Sequence, residues 1–182
     1  MDEVSLPEWR LAIKSSNNKE GKSVSRRWIQ IATTSKDNLP RLRTVVFRGW
    51  SEAHSMLIYT DRRSQKINDI NINNNVELLW LFPKSKSQYR LKGKAYEIKE
   101  NIRYWDNLSE RSKNQWFWPS PGKIISQKNN LSSIDNRPSK PNNFSVLQII
   151  INEVDLLKLE KPIHKRYLWR KIDNWKCIEV NP

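Results

Sequence analysis

Cysteine occurs once in this chain, as Cys177, and histidine twice, as His54 and His164. An intramolecular disulfide is excluded, as is a metal centre built from several cysteines, and two histidines are too few for most zinc sites. Glycine is scarce, at four residues. The glycine-dependent phosphate signatures G-x-x-x-x-G-K-[ST] and G-x-G-x-x-G are both missing, and so are H-E-x-x-H and the nucleophile elbow G-x-S-x-G. No apolar run approaches the ~20 residues of a membrane span. The opening "MDEVSLPEWR" is acidic and polar, without the apolar stretch of a secretory signal. The expectation is a soluble, cytoplasmic protein without a metal. With so little acid–base or nucleophilic equipment, any catalysis would rest on a bound cofactor.

What the chain has in excess is positive charge and tryptophan. Lysine and arginine number 33 against 19 acids, for a net charge of +14 and a pI near 10.0. Such a balance suits an anionic partner: nucleic acid, an anionic membrane or a phosphorylated small molecule. Abundant Lys, Asn, Ile and Ser could equally reflect a general compositional bias. Nine tryptophans carry much apolar area. At 37% hydrophobic and 29% charged residues, the 182-residue chain reads as one folded domain over 1–182.

The spacing predicts an opening helix over about 5–16, with Ser5 as cap, Pro7 in its first turn and Trp9, Ala12 and Ile13 on one face. Strands follow in "RWIQIATTS", "RLRTVVFRGW" and "SMLIYTD", and a short helix starts near Ser64 or Asp61. "VELLWLFP" is apolar almost throughout, as in a strand buried on both faces. "SQYRLKGKAYEIK" alternates. "ENIRYWDNLSERSKNQWF" has helical spacing, with Trp105, Trp116 and Trp118 belonging to the core or to a subunit interface. A polar stretch over 124–143 reads as a loop. "FSVLQIIINEVDLLKLE" is a strand, and "HKRYLWRKI" with "WKCIEV" forms a terminal hairpin. Seven or eight strands, three short helices and short turns make the fold mainly β, an antiparallel closed or partly closed barrel.

The stretch from Leu39 to Trp50, "LPRLRTVVFRGW", sets Arg41, Arg43 and Arg48 among apolar and β-branched residues. Arg41 reads as solvated. Arg43 and Arg48 are five residues apart, about 16 Å at ~3.3 Å per residue. Five is odd, so a regular strand sends them to opposite faces unless a bulge or edge intervenes. His54 in "SEAHSM" reads as a solvated turn residue, whereas His164 beside Arg166 is a site candidate.

Taken in order, "RLRTVVFRG", "IYTDRRSQK", "SQYRLKG" and "HKRYLWRK" resemble the pyridoxine 5′-phosphate oxidase family, and a divergent branch of it. The resemblance implies an FMN-binding split barrel that forms homodimers with FMN at the subunit interface. It implies that Arg43 and Lys66 hold the FMN phosphate with Thr60 and Ser64, next to Tyr59. Thr44, Val45, Val46 and Phe47 would run beside the isoalloxazine. Gln88 would reach the flavin from across the dimer, and Arg166 would sit at its polar edge. Arg48 would touch the ring or the substrate, with Ser109, Arg111 and His164 also on the substrate side. The implied reaction is oxidation of pyridoxamine or pyridoxine 5′-phosphate to pyridoxal 5′-phosphate with O2.

Several residues depart from the family pattern. Gln65 stands where a basic residue is usual, Pro162 replaces an arginine two residues before His164, and a flavin-side tryptophan falls at about Leu156. These departures lie mostly on the substrate side, which keeps open an FMN-binding protein or flavin reductase with another substrate. A basic, nucleic-acid-binding β-barrel is a third reading.

Overall fold

The computed structural model describes residues 6–124 and 139–182. Ser5 and most of the 124–143 stretch lie outside the described residues. Among the described residues, eight strands form one antiparallel sheet in the order β3-β2-β1-β4-β5-β6-β7-β8. They are β1 (Trp28–Thr34), β2 (Pro40–Glu52), β3 (Ser55–Asp61), β4 (Asn75–Phe82), β5 (Ser87–Glu97), β6 (Phe144–Lys158), β7 (Lys165–Arg170) and β8 (Ile178–Val180). β3 also pairs with β6, so the first six close into a barrel.

The 15-residue β6 splits the sheet. Its first half, Phe144–Ile150, pairs with β3, and its second half, Glu153–Lys158, pairs with β7. β5 runs along both halves, with a register shift at Lys92/Gly93. Glycine is required there, because a Cβ on Gly93 would stand 2.3 Å from the Ile150 carbonyl oxygen.

Period-2 alternation explains the barrel interior. Ile29, Ile31, Val45, Met56, Ile58, Leu78, Trp80, Leu91, Ile149 and Val154 all fill it. β4 does not follow the expectation of burial on both faces: Val76, Leu78, Trp80 and Phe82 are buried, but Leu81 is 44% exposed. A barrel strand has one interior face, so a continuous apolar run leaves its alternate residues outside. Trp28, at 51%, and Leu42, at 69% exposed, join Leu81 on that outer surface.

Helix α1 (Glu8–Lys19) follows Pro7, which stands at its N-cap without a side-chain bond, and it buries Trp9 and Ile13. Helix α2 (Gln65–Ile72) buries Ile67 and Ile70. The single helix expected over 100–117 is broken into α3 (Ile102–Asp106), α4 (Glu110–Asn114) and a 3-10 turn at Gln115–Phe117. Ser109 causes the break, since its hydroxyl accepts from Ser112 N and starts a new helix. Trp105 and Trp116 are buried with Tyr104, Leu57 and Phe144 outside the barrel, whereas Trp118 is 53% exposed. In the terminal hairpin, β8 begins only at Ile178; a 3-10 turn and the left-handed pair Asn174 and Trp175 intervene.

Candidate functional site

Four of the expected residues meet at one end of the barrel. β3 ends in Thr60, and the following turn carries Ser64 to the N-cap position of α2. The Ser64 hydroxyl makes no capping bond; it accepts instead from Lys66, 3.0 Å away. Lys66 Nζ also donates to Thr60 Oγ1 at 2.8 Å. Both hydroxyl residues are buried, at 5% and 7% exposure. Burial pushes the Lys66 ammonium below its usual pKa, and the charge of Arg43 lowers it further against the opposing pull of Asp61. Two cations and two hydroxyls thus converge beside a helix N-terminus, a donor set matched to a phosphate monoester.

Arg43 is held from behind. Its Nη1 donates to Thr33 Oγ1 at 2.6 Å, and its Nη2 lies 3.4 Å from Asp69 Oδ2. Asp69, on α2, is 2% exposed and also accepts from Thr33 Oγ1 and from Arg41 Nη1 at 3.0 Å. Arg41 is therefore not the solvated residue expected; it is one of two arginines tied to a buried carboxylate. Asp69 itself was missed, although an acid among the isoleucines of "INDINI" is a readable signal.

Along β2 the strand changes character at Arg48. The ladder to β3 shifts between Phe47 and Gly49, and Gly49 takes φ +135°. This bulge leaves Arg48 on the outer side, its guanidinium carbon 5.3 Å from the Tyr59 ring centroid. Beyond it Trp50 turns inward and packs on the core with Phe47. Arg43 and Arg48 thus serve opposite faces. Arg48 Nε is buried without a hydrogen-bond partner among the described residues. Burial, then the charge of Arg27, lowers the guanidinium pKa, and Tyr59 opposes them. Tyr59 meets the rings of Tyr104 and Phe144, and Tyr104, another residue not anticipated, accepts from Arg103 Nη2 at 2.7 Å. Thr44 is exposed, Val46 half-buried and Val45 buried in the core.

Gln88 and Arg166 occupy a second cluster. Leu157 on β6 pairs with Gln88 on one side and with Arg166 on the other. Asp155, two residues back on the same face, accepts from Arg90 and doubly from Arg166, at 3.1 and 2.8 Å. Burial alone would raise the Asp155 carboxyl; hydrogen bonds from Arg166 and Arg90 outweigh it and hold the pKa below the usual range. Leu156 is 1% exposed in the core, so the position next to Gln88 and Arg166 belongs to Leu157.

The remaining candidates stand apart from both clusters. Ser109 is a helix cap and Arg111 is exposed on α4. His164 is exposed, its Nδ1 3.1 Å from the Glu160 carbonyl oxygen. His54 is not the solvated residue expected. Its ring lies 4.9 Å from Trp175 and 6.1 Å from Trp9, and its Nδ1 is buried without a partner among the described residues.

A profile of the family described as "Pyridoxamine 5′-phosphate oxidase, FMN-binding domain" matches residues 6–99, just over half of the chain. The chain belongs to this FMN-binding family. FMN is its cofactor. A solved pyridoxamine 5′-phosphate oxidase-related, FMN-binding protein from Nostoc punctiforme is 30% identical. It superposes with a TM-score of 0.88 over 98% of this chain and 100% of its own. Pyridoxine/pyridoxamine 5′-phosphate oxidase 2 of Arabidopsis thaliana is 27% identical over 174 residues, covering 85% of this chain and 87% of that protein. PhzG from Burkholderia lata, solved with tetrahydrophenazine-1-carboxylic acid, has a TM-score of 0.85 at 15% identity, covering 100% of this chain and 95% of its own, and shares the fold. Among the described residues, no helix is long and apolar enough to cross a membrane.

Proposed function

We propose that the chain is an FMN-dependent oxidase acting on pyridoxamine or pyridoxine 5′-phosphate. The observation that carries the proposal is the convergence of Arg43, Thr60, Ser64 and Lys66 beside α2, a cradle for the FMN phosphate. Arginine supplies a planar fork for two phosphate oxygens and lysine a compact charge, with Asp69 keeping the arginine aimed. From that anchor β2 runs toward Arg48, a length comparable to an extended FMN. The backbone of Thr44 to Phe47 would lie beside the ring, and Tyr59 stands next to the cradle.

Bound FMN would supply the redox chemistry, a two-electron oxidation of the substrate carbon with O2 as acceptor and H2O2 as product. Arg48, over Tyr59 and near Tyr104, offers the substrate anion a cation on the outer side of β2. Catalysis then rests mainly on positioning the carbon against the ring. Ser109, Arg111 and His164 would have to approach with a bound substrate.

Gln88 and Arg166 lie in a different cluster from the phosphate cradle, which is the arrangement of a site completed by a second copy. The exposed Trp28, Leu42 and Leu81 give that copy an apolar surface. The working form is accordingly a homodimer with FMN at the interface.

Purified protein should be yellow, release FMN on denaturation, and convert pyridoxamine 5′-phosphate to pyridoxal 5′-phosphate with one H2O2 per turnover. A yellow protein with no such turnover sinks the substrate assignment and leaves the second reading, a flavin reductase or FMN-binding protein with another substrate. Two features favour that reading: Pro162 stands where the family pattern has arginine, and Leu157 rather than an aromatic ring sits between Gln88 and Arg166. Colourless preparations that take up no FMN would overturn both readings.

A further inference from the structure

A cavity of about 930 Å³ lies where α1 crosses the C-terminal end of β2, and the flavin reading uses only its edge at Phe47 and Arg48. Its cationic lining is Arg10, Lys14, Lys22, Arg26, Arg27 and Arg48, and no carboxylate among the described residues lines it. Phe47 and Trp50, both half-buried, form an apolar wall.

The bonding of these cations indicates what is missing. Arg10 stacks 3.6 Å from the Trp50 centroid and donates to the carbonyls of Glu52 and Ala53. Arg26 is tied to Asn17 and Gly21. These two are built into the wall. Lys14, Lys22 and Arg27 have no ion-pair partner among the described residues. Arg48 has a buried Nε without a hydrogen-bond partner among the described residues. Burial draws the Arg10 pKa down to about 10, and burial followed by the charge of Arg27 lowers that of Arg48, so these cations are partly desolvated and Arg27 and Arg48 repel. Unpaired cations on a convex surface are simply solvated. Around a concavity with aromatic walls they repel one another, and a multivalent anion relieves that repulsion.

We propose that this cavity is a second ligand site, distinct from the phosphate cradle, that takes a phosphorylated aromatic compound of nucleoside diphosphate size. The volume falls within the ~300–1,000 Å³ of small-molecule sites. Lys14, Lys22 and Arg27 meet the phosphates, and Phe47 and Trp50 face the ring. A concavity of this volume suits a small molecule, whereas a single strand needs an extended track. The proposal does not rest on the flavin reading.

The test is calorimetric titration of the FMN-saturated protein with ADP, adenosine and pyrophosphate. Expected is one ADP per chain, with both fragments at least about tenfold weaker, since each lacks one half of the contacts. The double variant Lys14→Gln/Arg27→Gln should weaken ADP by about tenfold or more. It should keep its FMN content and melting temperature, because both residues are exposed. Three results would overturn the proposal: no saturable ADP binding, equal affinity in the double variant, or competition of ADP with FMN or with pyridoxamine 5′-phosphate for one site. Tighter binding of a single-stranded oligonucleotide, lost in the same variant, would also overturn it and make the cavity part of a nucleic-acid surface. FMN content, measured separately, decides the flavin reading whatever the ADP result.

Discussion

Lys66 reaches the Thr60 hydroxyl across the turn between β3 and α2, Nζ to Oγ1 at 2.8 Å. The contact fixes a desolvated ammonium where a phosphate oxygen can take the hydroxyl's place. Lys66→Met should weaken FMN binding by about ten- to a hundredfold, the value of one charge-assisted hydrogen bond at ~1.5–3 kcal/mol. Burial and Arg43 lower the Lys66 pKa from its ordinary 10.5, so the charge is lost earlier as pH rises. Wild-type FMN affinity should therefore fall on the alkaline side below that value, and the variant should lack the step. Equilibrium dialysis against FMN over a pH series measures both; an unchanged affinity in the variant would remove Lys66 from the site.

Asp69 supports the same cradle from within. Its side chain is 3% exposed while those of Arg41 and Arg43 are 36% and 23% exposed. Asp69→Ala should cost about 2–3 kcal/mol, less than the ~3–5 of a wholly buried pair because the arginines are partly solvated. Urea unfolding of the apoprotein gives this number, and FMN retention should fall with it. A variant as stable as wild type would mean that the arginines do not depend on the carboxylate.

Asp155 carries an acid-side signature. Its folded pKa lies below the ordinary 3.8, so it stabilises the fold above that value and loses the contribution as pH falls through the folded pKa. Asp155→Asn should be less stable than wild type near neutrality, and the gap should close in the acid range. Melting temperatures across pH 7 to about 2 follow the convergence; parallel curves would contradict it.

Leu81 stands on the bare outer face of β4, beside Gln88 on β5. Leu81→Lys places a charge there without disturbing the core. Sedimentation velocity should show the dimer weakened or lost, and FMN content should drop with it, since Gln88 and Arg166 are proposed to act across the interface. A monomeric variant that keeps a full complement of FMN would show that one chain suffices.

The strands were legible because alternation is local and strong, and so were Ser64 and Lys66, which share one helical turn. Arg41, Asp69 and Thr33 were not, because their association depends on β1, β2 and α2 meeting in space. The parity of Arg43 and Arg48 could be counted from the strand period, and Gly49 was the sign of the bulge that settles it. His54 was misread because its turn is polar in sequence; the tryptophans that enclose it lie at positions 9 and 175. The outer face of β4 escaped for the opposite reason. A run of apolar residues cannot say which of them the barrel leaves outside.

The shared strand β6 also governs when the fold can form. Barrel closure pairs Asp61 with Phe144 and Ser55 with Ile150, contacts about half the chain apart. During synthesis β3 therefore waits with an open edge until residues near 150 have emerged. Long-range pairing of this kind slows folding. A fragment ending at Asn143 would expose the edges of both β3 and β5 to other chains, so self-association rather than a smaller barrel is its expected fate.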